Sequence, residues 1–249
     1  MTPLPRPSRL YLGSRHFRLD AAGPAAVVGE GLGDDPAGWA AALKRLATDP
    51  RLPPGPRQLL ISDRWVRYDL LPVATRQLGE DEARLLAESR FRRQYGAPLW
   101  PLRLAAAPAH LLSLALQPAL LAALEAQQAE LGLCGVEPWF AALWDRAWPQ
   151  LRQFRGWLLV DEEDILLLAQ VDHGRLLGLR SQLSSPSQPA DPLELLTRQA
   201  ALAPDAGHQV LIHSLNPPPT LPAPWQGQAL VLPPAPGAGA RLWQWLRHG

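Results

Sequence analysis

The sequence predicts an α/β protein built of two similar lobes. Three observations carry this. Short apolar or alternating runs, separated by Gly, Pro and Asp, form a three-strand meander beginning near Arg9 and another near Trp157. A helical pattern, a strand and a further helix follow each meander, over a shorter stretch the second time. Finally, 249 residues of which 47% are hydrophobic suffice for a substantial core. Such duplication suggests two lobes with a cleft between them, although the halves share little residue identity.

The first meander comprises Arg9–Leu12, Arg15–Asp20 and Ala25–Gly29, with turns at Gly13-Ser14 and Gly23-Pro24. Asp35-Pro36 opens a helix, because Asp caps orphan amides and Pro is preorganised for the first helical position. Trp39, Ala42, Leu43 and Leu46 give that helix an apolar stripe, and Pro50–Pro56 stop it. Gln58–Ile61 reads as a buried strand, Ser62-Asp63 as a turn, and Trp65–Leu70 as a further strand ending at Pro72. Glu80–Tyr95 is the clearest helix. Glu80, Asp81 and Glu82 fill its first turn, Arg90, Arg92 and Arg93 lie near its end, and Gly96 follows, which matches the helix dipole.

Leu102–Ala106 and His110–Leu116 form a strand pair around Ala107-Pro108. Pro118 starts a helix that the pattern extends to about Leu131, followed by the strand Leu133–Val136. Trp139–Leu151 is helical, with Phe140, Leu143, Trp144, Ala147 and Leu151 on one face. The second meander is Trp157–Val160, Asp164–Val171 and Arg175–Arg180, with Asp172-His173-Gly174 as a hairpin turn. Ser181–Pro192 is a loop, Leu193–Leu202 a helix, and Gln209–Ser214 and Ala229–Leu232 are strands flanking the Pro-rich run 217–224. Ala240–Arg247 closes the chain as a short helix.

Composition narrows the function. With 24 basic and 23 acidic side chains the net charge is +1, so no long-range field gathers nucleic acid or acidic lipid. Cys134 is the sole cysteine, which excludes an internal disulfide and a cysteine-rich metal site; in its apolar strand it reads as an inert core residue. No uninterrupted apolar run reaches spanning length, and the first residues lack an apolar signal core, so the expectation is a soluble, cytoplasmic protein. The chain has 28 prolines against an ordinary share of about 5%, and Lys44 is its only lysine, a bias that fits GC-rich coding. The six histidines show no ligand spacing, and no Gly-x-Ser-x-Gly elbow or Walker loop is present. Trp139, Trp144 and Trp148 along one helix read as packing, with Trp144 and Trp148 able to anchor a partner if partly exposed; Trp243 and Trp245 cannot both face one core. The arginines of helix 80–95 read as self-paired with Glu80, Asp81, Glu82 and Glu88.

The segment Arg9-Leu-Tyr-Leu-Gly-Ser-Arg-His-Phe-Arg-Leu19 resembles the opening of actin-like proteins. Leu59–Pro72 is similar to the segment entering the small subdomain of the PilM family, actin-like proteins of type IV pilus assembly. There a strand ending in Leu-Pro precedes an acidic helix, a shape that Glu80–Tyr95 fits. Leu112–Gln117-Pro118, its helix, and Leu133-Cys-Gly-Val-Glu-Pro-Trp139 look like the next block, with Val136-Glu-Pro138 the most specific piece. The likeness covers residues 9–180, and the cytoplasmic domain of the type II secretion protein GspL is a related pattern. The resemblance implies an actin-like, ribonuclease-H-like fold with a reduced second lobe. Residues 1–138 would form the first lobe, with a small inserted subdomain at about 64–106, and residues 139–249 the shortened second lobe.

An actin-like ATPase needs a carboxylate in its first hairpin, Gly-rich turns that approach phosphate, and a matching Asp-x-Gly in the second lobe. Gly13, Ser14 and Arg15 occupy the first turn, but Tyr11 stands where the Asp would fall, and a phenol cannot replace a charged oxygen ligand beside Mg²⁺. In Val160-Asp161-Glu162-Glu163-Asp164 the carboxylate position is held by Asp161, while Glu163 replaces the Gly and would repel phosphate. Ile212–Leu215 lacks the Gly-Gly turn that lets adenine lie close. Gly13, Ser14, Arg15 and Asp161 are thus read as a degenerate nucleotide site. The run 161–164 is expected to be a charged hairpin turn facing water rather than a metal cluster, since successive side chains alternate faces.

These readings favour a non-enzymatic adaptor without cofactor, cytoplasmic and peripheral to the inner membrane, attached there only through partners. The resemblance implies a bitopic PilN-like partner whose short cytoplasmic tail docks near the small subdomain, with the assembly ATPase a further candidate and no nucleic acid. Trp65, Arg67, Tyr68, Arg90 and Tyr95 are the candidate partner-binding residues. The alternative is an active actin-like ATPase of the same machinery that uses ATP and Mg²⁺ with Asp161. A ribonuclease-H-like nuclease would need several carboxylates on two metals, and Tyr11 removes one.

Overall fold

In a computed structural model, residues 7–20, 26–71, 78–96, 101–106, 111–185, 187–215, 217–230 and 232 are described. Two compact units emerge. One comprises residues 1–66, 116–143 and 234–249; the other comprises 67–115 and 144–233.

The first unit is built on β1 (Ser8–Leu12), β2 (His16–Asp20), β3 (Ala26–Glu30), α1 (Pro36–Ala47) and β4 (Arg57–Ile61). The strand β5 (Val66–Leu71), α2 (Glu80–Tyr95), β6 (Leu102–Ala106) and β7 (Leu111–Leu116) intervene before α3 (Pro118–Ala126) and β8 (Leu133–Pro138). The sheet order is β3-β2-β1-β4-β8. β1 and β2 pair antiparallel, with Leu12 opposite Phe17, whereas β1–β4 and β4–β8 are parallel. β4 is buried on every residue, as a central strand covered on both faces requires. α1 packs with α3, and its buried residues are the expected stripe, Trp39, Ala42, Leu43 and Leu46. Asp35 accepts from the Ala37 amide at 3.0 Å, the expected cap.

The second unit contains two sheets. α4 (Trp139–Leu151), whose first five residues belong to the first unit, leads into β9 (Arg155–Asp161), β10 (Ile165–Asp172), β11 (Arg175–Leu183), α5 (Pro192–Leu202), β12 (Gln209–Ser214) and β13 (Gln226–Ala229). The larger sheet runs β11-β10-β9-β12-β13, with an antiparallel meander and then parallel strands, the order of the first unit again. α5 covers it through Leu195 and Leu196, which join Trp157, Leu159, Leu168 and Ile212 in the core. His173 and Gly174 both take positive φ, 49° and 77°, so the β10–β11 turn is of the two-residue kind whose twist suits a hairpin. The smaller sheet is β5-β7-β6. α2 lies on it through Ala87 and Phe91, against Leu71, Leu102 and Ala115.

Several expectations are adjusted. The helix from Pro118 stops at Ala126 and continues only as turns. The last strand is Gln226–Ala229 rather than 229–232, because its parallel pairing with Gln209–Ile212 sets its place, and all four residues are exposed, so no apolar signal marks it. The run Glu162–Asp164 does not face water: Glu162, Glu163 and Asp164 are only 1%, 7% and 6% exposed. Local alternation gave no information on that burial, which is a tertiary property. Arg84 does pair with Glu80 at 3.6 Å, but Arg90 turns from its own helix to Asp69 on β5. Cys134 is half-buried, with its thiol on the Arg57 carbonyl at 3.2 Å. The closing helix 240–247, with Trp243 and Trp245, and the histidines His110 and His248 lie outside the described residues. No helix among the described residues is long and apolar enough to cross a membrane.

Candidate functional sites

The first hairpin turns at Gly13–Arg15, where the Gly13 amide donates to the His16 carbonyl at 3.0 Å. The opposite side of the turn is stitched to the end of β3. Amides of Gly31, Leu32 and Gly33 donate to the carbonyls of Arg15, Gly13 and Ser14 at 2.7, 3.1 and 2.8 Å. Gly31 is required there, since a Cβ would stand 2.5 Å from the Ser14 carbonyl. Ser14 is buried and Arg15 exposed. Tyr11, where the resemblance expects a carboxylate, is 3% exposed, and its ring meets Trp139 edge-on at 5.1 Å. That position is a packing position.

In the second unit, β9 ends at Asp161, whose carboxylate accepts from the Ser214 hydroxyl at 2.7 Å. The backbone binds the residue that follows Ser214, with the Leu215 amide donating to the Asp161 carbonyl at 2.9 Å. Among the described residues no group of three or more His, Cys, Asp or Glu side chains could hold a metal. His213, next to Ser214, is driven down to a pKa of about 4, first by burial and then by the positive charge of Arg146. His208 instead sets its ring edge-on to Trp225 at 5.1 Å.

The five candidate partner residues divide. Trp65 is 3% exposed, edge-on to Trp39 at 5.7 Å, and belongs to the core of the first unit. Arg67, Arg90 and Tyr95 come together where the end of α2 meets β5, and Tyr68 joins them through its main-chain carbonyl. Arg90 grips Asp69 with two nitrogens, Nε and Nη2, the latter at 2.8 Å, a fork that fits a carboxylate. Asp69 holds the Arg90 guanidinium above its ordinary pKa through that hydrogen bond. The Arg67 guanidinium lies over the Tyr95 ring at 5.9 Å. Tyr95 packs on Phe91 at 5.4 Å, and its hydroxyl accepts from Gln94 at 3.0 Å. Burial pushes the Tyr95 phenol up, with Arg67 opposing.

Two adjoining cavities of about 350 and 320 Å³ open beside this cluster. β5 and the end of α2 form one wall. The other is β11, with Leu179 and Arg180 in both cavities. Sequence reasoning missed β11 as a wall. The available signal was its place as the last strand of a meander, which leaves one edge open.

No protein-family model matches the chain, and no curated protein matches it in sequence. Solved structures do match in fold. A Bacteroides thetaiotaomicron protein with an actin-like ATPase fold and unknown function aligns over 84% of this chain and 81% of its own, at 13% identity and TM-score 0.57. The cytoplasmic domain of EpsL, an inner-membrane component of the Vibrio cholerae type II secretion system, aligns over 92% and 91%, at 10% identity and TM-score 0.52. A chain of a PilM-PilN type IV pilus biogenesis complex aligns over 74% of this chain but only 63% of its own, at 15% identity and TM-score 0.51. The fold is therefore actin-like, and the proteins that the residues resemble share it.

Proposed function

We propose that this protein is a non-enzymatic adaptor of a type IV pilus-like or type II secretion-like assembly platform. It works at the cytoplasmic face of the inner membrane and is held there by its partners. The observation that carries this reading is Tyr11 buried against Trp139 at the place of the expected metal-organising carboxylate. A hard cation needs charged or carbonyl oxygen, which a packed phenol ring does not supply. The second hairpin adds to this. Glu163 stands there where the resemblance expects a glycine, so a side chain takes the place of the bare turn that a phosphate cradle needs.

The likeness to PilM and EpsL supports the machinery, since the first is named for type IV pilus biogenesis and the second as an inner-membrane component of a type II secretion system. A PilN-like bitopic protein is the proposed partner, with the assembly ATPase a second contact. The proposed docking face is the small sheet and α2, with Arg67, Tyr68, Arg90 and Tyr95. The other reading is an ATPase that binds Mg-ATP through Asp161, which keeps a carboxylate at the end of β9, hydrogen-bonded to Ser214.

A thermal-shift titration separates the two. Binding at micromolar affinity raises the melting temperature steadily with ligand, by linkage of about 3 kcal/mol at a hundredfold excess over Kd. The adaptor should show no such rise with ATP and Mg²⁺. A concentration-dependent rise that Asp161→Ala abolishes would overturn this reading.

A further inference from the structure

The paired cavities beside α2 lie between two sheet edges. β5 ends the order β5-β7-β6, and β11 ends the order β11-β10-β9-β12-β13. An edge strand carries a row of main-chain donors and acceptors with no strand opposite. On β5 the direction is visible: Ser113 on β7 donates to the Asp69 carbonyl at 3.0 Å, so Asp69 faces inward. Alternation then aims the main-chain groups of Tyr68 and Leu70 at the groove. The Tyr95 hydroxyl reaches the Tyr68 carbonyl there at 3.5 Å, at the limit of a hydrogen bond and readily exchanged.

The β11 wall is shaped for close approach. Gly178 lines the groove without a side chain, and a register shift between Gln170 and Val171 leaves Leu177 bulged. Glycine in a strand marks a place where another backbone can come near. Beyond it Leu179 is buried, while Arg180 is exposed. Charge selects the guest. Among the described residues, Arg67, Arg90 and Arg180 line the cavities against the single carboxylate of Asp69, three positive charges against one negative. Asp69 already serves Arg90, and among the described residues no carboxylate lies within ion-pair distance of Arg180.

The geometry points to an acidic, extended peptide segment of a partner protein, inserted as a strand between β5 and β11. Main-chain hydrogen bonds give the binding its footing, and Arg67 and Arg180 choose acidic side chains over basic ones. A nucleic-acid strand fits less well, because two strands that end their sheets among the described residues offer hydrogen bonds suited to a peptide backbone and the net charge of the chain is only +1. The inference rests on the adaptor reading in taking the partner to be a protein. It moves the docking groove to one walled by the second meander.

The test uses the full chain with a short fluorescein-labelled peptide of alternating Glu and Val, and a Lys and Val counterpart. Anisotropy should show saturable binding of the acidic peptide, at least about tenfold tighter than the basic one and weaker in salt. Arg180→Glu should lower affinity about tenfold, and Arg180→Gln, which merely removes the charge of an exposed side chain, about fivefold. Hydrogen exchange should slow in both 67–71 and 177–183. Equal binding of the two peptides, no saturation by about 1 mM, slowing outside these two strands, or displacement by a single-stranded DNA oligomer would each overturn the proposal. Failure of the adaptor reading is read separately, from the ATP titration, because Asp161 and the first hairpin do not line the groove.

Discussion

Tyr11 shows how one side chain can settle the character of a hairpin. Its ring sits on Trp139 inside the sheet, so its removal opens a cavity rather than a binding position. Tyr11→Ala should cost about 3–5 kcal/mol, the usual range for losing a large core aromatic, read as a lower urea midpoint. Tyr11→Asp should destabilise at least as much, since it buries a carboxylate where a ring packed, and gain no affinity for Mg²⁺. His213 supplies a pH signature. Its folded pKa is about 4 against an ordinary 6.5, so the unfolded chain takes up the proton first. The stabilising difference is fully present above pH 6.5 and is lost as pH falls toward 4. At 1.36 kcal/mol per pH unit the loss is about 3 kcal/mol. Denaturation of a His213→Asn variant should have a flatter profile across that window than the parent; matching slopes would refute this account.

Among the elements, the link from β12 to β13 is the unusual one. Parallel neighbours need a crossover, most often a helix. Here the proline-rich run 217–224 takes that place, and Leu221 and Trp225 cover the sheet where a helix would. Among the described residues β13 pairs on one side only, and all four of its residues are exposed. Its amides should exchange at least about 100-fold faster than those of β9, which has a paired strand on each side. Mass-spectrometric exchange that protects both strands equally would contradict this. By contrast, the caps and turns behave as local chemistry dictates. Asp191 caps α5 at 2.8 Å, and the Gly79 amide donates to Glu82 at 3.0 Å at the head of α2.

Across the molecule, the repeated strand order is the feature that was most legible in the residues. Both meanders, the capped helices and the strand after each could be placed because periodicity and capping are local signals, and the order β3-β2-β1-β4-β8 returns as β11-β10-β9-β12-β13. What escaped was tertiary. Nothing in Glu162-Glu163-Asp164 announces that all three are buried, nothing in Trp65 that Trp39 covers it, and nothing in Arg180 that it shares cavities with Tyr68. Of the five residues read together from the sequence, Arg67, Tyr68, Arg90 and Tyr95 lie around the end of α2, Trp65 lies in the core, and the β11 wall had gone unread. The stitched turn at Gly13–Arg15 has one more consequence. With three carbonyls held by the end of β3 and Gly31 wedged beneath, it cannot fold over an arriving molecule. A ligand arriving at this turn would meet backbone whose carbonyls are already engaged.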